Sequence, residues 1–202
     1  MSYFVLSSVF VINDSFATES ETEPTPHALI RTVAMSTLDR IKNQRESALL
    51  SIESIDNIIE EELMPYVDFR YAAFKVLGPN VRKATSTELV DFVEAFRHDL
   101  AVSFSTVLSG LNDHRIEVET ATYLPSDRFI SIKSLVISSA GPPINIVFKL
   151  RMEPKIKKWQ VYDIETEGIS LITSKKSEID PIIRKHGIQH ATALLNKKDN
   201  NS

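Results

Sequence analysis

Apolar residues recur every three to four positions through the first half of the chain, and every second position through much of the rest. Leu29, Val33, Leu38 and Ile41 mark one helix opening at Pro26. Ala48, Ile52, Ile55, Ile59 and Leu63 mark a second, which must stop before Pro65. A third over 67–77 closes at Gly78-Pro79. Thr85-Ser86-Thr87-Glu88 is a capping box, in which hydroxyl and carboxylate satisfy the free amides of a helix start. The helix it opens carries the stripe Leu89, Phe92, Val93, Phe96, Leu100, Phe104 and Leu108, either packed core or one wall of a cavity. After Gly110 the period changes to two. Ile116, Val118, Thr120 and Thr122 alternate with acids, and 129–137 is a second strand reversed at Ala140-Gly141-Pro142-Pro143. Ile144, Ile146, Phe148 and Leu150 form the apolar face of a third, and 159–172 reads as a fourth. On it Trp159 shares a face with Val161 and Asp163, and Tyr162 with Gln160 and Ile164. Short helices over 177–185 and 188–195 finish the pattern. Strands succeed one another with no helix between them, so the fold class is α+β.

The ends read differently. Residues 3–12 are apolar, and Ser15-Phe16-Ala17 puts small residues before a cut at Thr18. That is the arrangement of a secretory leader over 1–17, with a buried N-terminal strand as the alternative. Residues 18–25, acidic and proline-containing, read as a linker, and 197–202 as a disordered tail. No other stretch approaches the ~20 apolar residues of a membrane span.

The chain has 202 residues, 43% apolar and 25% charged, as in a globular protein. Its formal charge of -4 argues against nucleic-acid binding, which needs clustered Lys and Arg. Lys155 to Lys158 and Lys175-Lys176 read as solvated turns, or as docking patches for an acidic partner. Glu60-Glu61-Glu62 reads as a solvated helix face. The absence of cysteine excludes disulfides, thiolate metal sites and a cysteine nucleophile. His186 and His190 stand four apart, but without the carboxylate pattern of a zinc helix. His98-Asp99 and Tyr162-Asp163 are the available acid–base pairs. No phosphate-binding glycine loop or nucleophile elbow occurs.

The fourth strand and the helical stretch after it, WQVYDIETEGISLITSKKSEIDPIIRKHGIQHATALL, resemble the C-terminal block of MlaC-like (toluene-tolerance type) phospholipid-binding proteins. Trp159, Tyr162, Asp163, Gly168, Ser170 and Gly187 fall on that pattern. EEELMPYVDFRYAAFKVLG matches a second block through Pro65, Val67, Asp68, Phe69, Leu77 and Gly78. ATSTELVDFVEAFRHDLAVSF matches a third through Phe92, Phe96 and Leu100, and the Gly141-Pro142-Pro143 turn fits too. The resemblance runs over 26–195. Phe104 stands where the family usually has tyrosine, Val81 where an aromatic is common, and Gln189-His190 where Asp-Gly is typical.

The resemblance implies a single domain over 26–196, with helices wrapped around a strongly twisted antiparallel sheet of about four strands and an apolar cavity between the layers. It implies a monomeric periplasmic carrier with bound phospholipid as cargo and no cofactor. Its partners would be an inner-membrane MCE-domain protein of an ABC transporter and an outer-membrane lipoprotein–porin complex, and its role the maintenance of outer-membrane lipid asymmetry. Two acyl chains hold about thirty methylenes at ~0.8 kcal/mol each, so bare transfer through water costs on the order of 20 kcal/mol. Candidate lipid contacts are Ile144, Ile146, Phe148 and Leu150 facing Phe96, Leu100, Phe104 and Leu108, with Tyr66, Tyr71, Phe74, Ile130, Ile132, Val161 and Ile169. Two other readings are an enzyme with a cone-shaped pocket, using Asp163 or His98 as base, and an adaptor with a filled core.

Overall fold

The structure, a computed structural model, describes residues 24–111, 113–120 and 122–197. The leader or strand expected over 1–17, most of the linker and the tail from 198 lie outside the described residues. Helix α1 (Pro26–Glu46) starts on a proline, whose missing N–H is no loss in a first turn. Ala48, at φ 55°, turns the chain away from it. Helix α2 (Ile52–Ile58) opens on a Ser51–Ser54 capping box and then widens into a π turn (Ile59–Leu63) and a 3-10 turn (Met64–Tyr66). The expected helix end before Pro65 is therefore not a plain stop. Pro65 has no N–H for an i→i−4 bond, and the ladder loosens ahead of it.

The Asp68 carboxylate accepts the Tyr71 N–H (2.9 Å) to cap α3 (Phe69–Leu77). Gly78 ends α3 at φ 53°, where a Cβ would come within 2.5 Å of the Lys176 Nζ. Helix α4 (Ser86–Ser109) starts on the Thr85–Glu88 capping box, as the sequence predicts. Five strands come next: β1 (Arg115–Val118), β2 (Phe129–Ile137), β3 (Ile144–Glu153), β4 (Lys158–Thr166) and β5 (Ile169–Ser170). They form one antiparallel sheet in chain order. Helices α5 (Leu171–His186) and α6 (Ile188–Lys197) complete the α+β fold.

Four further features depart from the sequence pattern. The strand expected over 159–172 folds back after Thr166, because Glu167 (φ 48°) and Gly168 (φ 81°) form a two-residue turn with both φ positive. The sheet thus gains β5. Helix α5 begins at Leu171, six residues before the expected 177, capped by Ser170, whose Oγ accepts the Thr173 N–H (3.1 Å). Strand β1 ends at Val118, short of the expected Thr122.

The fourth departure is a bulge. Lys149 pairs with Asp163 but Leu150 with Val161, leaving Tyr162 as an extra residue. The bulge resets the alternation, so Val161, Ile164 and Thr166 share one face, while Asp163 reaches Lys149 on the other.

The first face lies under α1. Leu29 and Ile30 pack on Ile132, Leu150 and Val161, with Trp159 at the edge. A second core fills the space among α3, α4, α5 and α6 around Phe92, Phe96 and Leu100. Lys175 is buried there against Asp99, and its neighbour Lys176 lies over Gly78. This pair belongs to a helix interface, not to the solvated turn that the sequence suggested. The acidic run is paired too: Glu60 with Arg97, and Glu61 and Glu62 with Arg40. The bonds from Ser36 and Arg40 hold the Glu62 carboxyl below its ordinary value.

Candidate functional site

The sheet register stacks its inner face in rows. Ile116, Val136 and Ile144 form the first, and Val118, Ser134, Ile146 and Thr166 the second. Ile132, Phe148 and Ile164 form the third, and Ile130, Leu150 and Val161 the fourth. Burial deepens along them, from Ile144 at 39% exposed to Leu150 at 0%. Above these rows α1 turns Leu29, Ile30, Val33, Ala34, Thr37 and Leu38 inward, and the end of α4 contributes Phe104, Val107 and Leu108. Leu63, Tyr66 and Val67, from the loosened turns after α2 and the residue next to them, close one side. A cavity of about 350 Å³ remains between helices and sheet.

Its wall is almost wholly hydrocarbon. Thr37, Tyr66, His114 and Thr166 bring the side-chain polar atoms. The Thr37 hydroxyl is already committed, donating to the Val33 carbonyl (2.8 Å). An apolar cavity of ~150 Å³ stays dry and takes up benzene, so one of this size and lining suits a longer hydrocarbon.

Of the candidate contacts, Tyr66, Phe104, Leu108, Ile144, Ile146, Phe148 and Val161 line this cavity. Ile130, Ile132 and Leu150 lie in the packing beneath α1. Phe96, Leu100 and Phe74 belong to the helical core. Tyr71 is on the opposite face of the sheet, in edge contact with Tyr162 (5.2 Å between rings) and near Phe129. Ile169 on β5 is 67% exposed. Neither Trp159 nor Tyr162 lines the cavity: Trp159 packs on the sheet core and Tyr162 on the helical one.

The contribution of α1 was readable only as an apolar stripe at Leu29, Val33 and Leu38, with nothing in the chain to say what it faced. Ile164 was hidden by the bulge. His114 carried no local signal at all.

The acid–base pairs stand elsewhere. Asp99 is engaged with Lys175. Asp163 accepts bonds from Lys149 Nζ (3.2 Å), Ser170 Oγ (2.7 Å) and the Ile172 N–H (3.1 Å), so it pins the start of α5 to the sheet. Burial, and secondarily the Tyr71 phenol, push the Tyr162 hydroxyl's pKa up, which makes it a poorer proton donor. A gap of about 20 Å³ touches Tyr162 and Asp163, too small for a substrate. The rings of His186 and His190 lie 4.9 Å apart and tilted by 40°, and the described residues hold no cluster of three or more potential metal ligands. Among them, no helix is long and apolar enough to cross a membrane.

Comparison with known proteins gives three findings. A family profile described as MlaC protein matches residues 31–197. The intermembrane phospholipid transport system binding protein MlaC of Haemophilus influenzae is 26% identical over 186 residues, covering 92% of this chain and 85% of that one. A solved structure, the phospholipid-binding protein from Ralstonia solanacearum in complex with a phospholipid, shares the fold at a TM-score of 0.78. It is 18% identical, covering 88% of this chain and 98% of its own. With the family match running from the second turn of α1 to the end of α6, the chain belongs to the MlaC family.

Proposed function

We propose that this protein is a periplasmic phospholipid carrier. It takes a lipid from one membrane complex, shields the acyl chains in the cavity between α1, α4 and the sheet, and yields the lipid to another. The observation that carries this reading is the 350 Å³ apolar cavity in a chain of the MlaC family. The name of the Haemophilus relative and the phospholipid in the Ralstonia structure support the cargo. The partner complexes are an outer-membrane lipoprotein–porin assembly and an inner-membrane ABC transporter with an MCE-domain protein, and the pathway maintains outer-membrane asymmetry. Carriage needs no reactive group, since each buried methylene already contributes ~0.8 kcal/mol, and the acid–base pairs lie off the cavity.

Native mass spectrometry of protein purified without detergent, followed by lipid extraction, tests this. About one phospholipid per chain is expected in the wild type. A Phe148→Glu variant sets a carboxylate in the hydrocarbon wall and is expected to fold but lose the lipid. A lipid-free mass that stays unchanged after incubation with phospholipid vesicles refutes the proposal.

A further inference from the structure

We propose that the Phe104 ring is the stop against which the cargo's acyl chain ends, and that it sets how much hydrocarbon the cavity takes in. This rests on the carrier reading and adds a selectivity to it. An apolar void of ~150 Å³ takes up one benzene, so each carbon needs about 25 Å³. The 350 Å³ cavity therefore has room for about fourteen carbons, near half of the two chains of a phospholipid. How much chain is left outside then depends on where the cavity stops. Val107 and Ile144, 64% and 39% exposed, mark its outer end. Its inner end is a partition: Val67, Phe104, Val161 and Ile164 line both the cavity and the 20 Å³ gap beyond it. On the far side the gap meets Phe96 and Leu100 of the helical core, and the Asp163 that holds the start of α5.

Of the four partition residues, Phe104 closes the cavity by its side chain alone. Val67 and Val161 form a parallel bridge, and the Asp68 N–H donates to the Val161 carbonyl (2.8 Å), so their part of the wall is main chain as well as side chain. Ile164 sits within the sheet, opposite Phe148. Phe104 projects from α4 instead, one turn inward of Val107 and Leu108 and one turn short of Leu100. Its ring packs on the helical core and also on the cluster around Ile55, Ile59 and Met64. It is thus propped from behind, and close packing there keeps it in place when a chain presses on it. Removing the ring would clear the space of one benzene, about six further carbons, directly in line with the cavity.

The test uses lysophosphatidylglycerols, whose single chain makes the carbon count unambiguous. Pairs differing by one methylene compete for the delipidated full chain below their micelle-forming concentrations, and native mass spectrometry reads the occupancy ratio. Each methylene that goes inside is expected to favour the longer lipid by about four-fold. In the wild type that gain is expected to end at about fourteen carbons. Phe104→Ala is expected to move the limit outward by about six carbons, Phe104→Leu by about three, and Phe104→Trp inward by about three. Phe96→Ala enlarges the gap from behind and leaves the ring standing, so its limit is expected to match the wild type. Circular dichroism establishes which variants are folded, and the conservative Phe104→Leu carries the test if Phe104→Ala is not. A limit unmoved in the folded Phe104 variants, or moved as far by Phe96→Ala, overturns the inference while leaving the carrier reading intact. Binding of no chain of any length overturns both.

Discussion

Phe148 and Phe96 look alike in the sequence, each on an apolar face, but the structure gives them different surroundings. Phe96 is 1% exposed inside the filled helical core, stacked beside Phe92 at 6.3 Å. Truncating it to alanine loses the transfer energy of the ring and opens a void where there was none, which together cost about 3–5 kcal/mol. Phe148 is half-buried and already borders the 350 Å³ cavity, so Phe148→Ala enlarges an existing space. Only part of the transfer energy is then lost, about 1–2 kcal/mol. Converted at roughly 2–4 °C per kcal/mol for a chain of this size, Phe96→Ala lowers Tm by about 6–20 °C and Phe148→Ala by about 2–8 °C. Thermal and urea unfolding followed by circular dichroism measure the difference, with lipid uptake recorded on the folded protein. Phe148→Ala is expected to change uptake more than Phe96→Ala does. Equal destabilisation by the two would mean that Phe148 is also in solid packing, and would refute the reasoning.

Lys175→Met leaves Asp99 buried without its cation and is expected to cost about 3–5 kcal/mol in denaturant unfolding, most of it recovered in the Asp99→Leu/Lys175→Met double variant. Asp163→Ala removes two bonds at the start of α5 and one from Lys149 of β3, and faster hydrogen exchange at residues 171–174 is the expected readout, with a loss of about 2–4 kcal/mol. Gly168→Val forces a β-branched residue into φ 81° and is expected to cost about 1–2 kcal/mol in unfolding experiments, and Gly168→Asn less. Glu62 has a depressed carboxyl pKa in the folded state, so its contribution to stability is present above the unfolded-state value and is lost as pH falls through the folded one. Glu62→Gln is therefore expected to flatten the decline in stability between about pH 5 and 3, measured by urea unfolding.

The α+β order was legible because it depends on local periods: 3.6 through α1 to α4, and two through β2 and β3. Caps were equally legible, since Thr85–Glu88 and Gly78 act on the backbone within a few residues. The stretch from Trp159 to Ile172 misled, because Leu171 and Ile172 continue a strand's apolar run while in fact facing the core of α5. What turns the chain there is Glu167-Gly168 together with Asp163, which stands seven residues before the Ser170 hydroxyl and nine before the Ile172 amide that it holds. Periodicity does not encode such a contact. Within the cavity, the β3 residues Ile144, Ile146 and Phe148 could be read from alternation. The division of the α4 stripe could not: Phe96 and Leu100 meet α3 and α5, whereas Phe104 and Leu108 reach the cavity, and that depends on where neighbouring helices end. Lys175 illustrates the same limit, since its partner Asp99 is far away in sequence.

The bulge at Tyr162 also bears on how much the length of β4 can vary. Val161 and Ile164 face inward on either side of the extra residue, while Asp163 and Glu165 face outward towards Lys149. A chain one residue shorter here would keep every one of those directions, because plain alternation would then run Val161, Asp163, Ile164, Glu165, Thr166. It would lose the ring contacts of Tyr162 with Tyr71 and Phe129 and its packing on the helical core. A deletion anywhere else between Phe148's partner Ile164 and the turn would instead swing Glu165 or its neighbours into the hydrocarbon. Tyr162 is thus the point on this strand where a change of length leaves the inner face as it is.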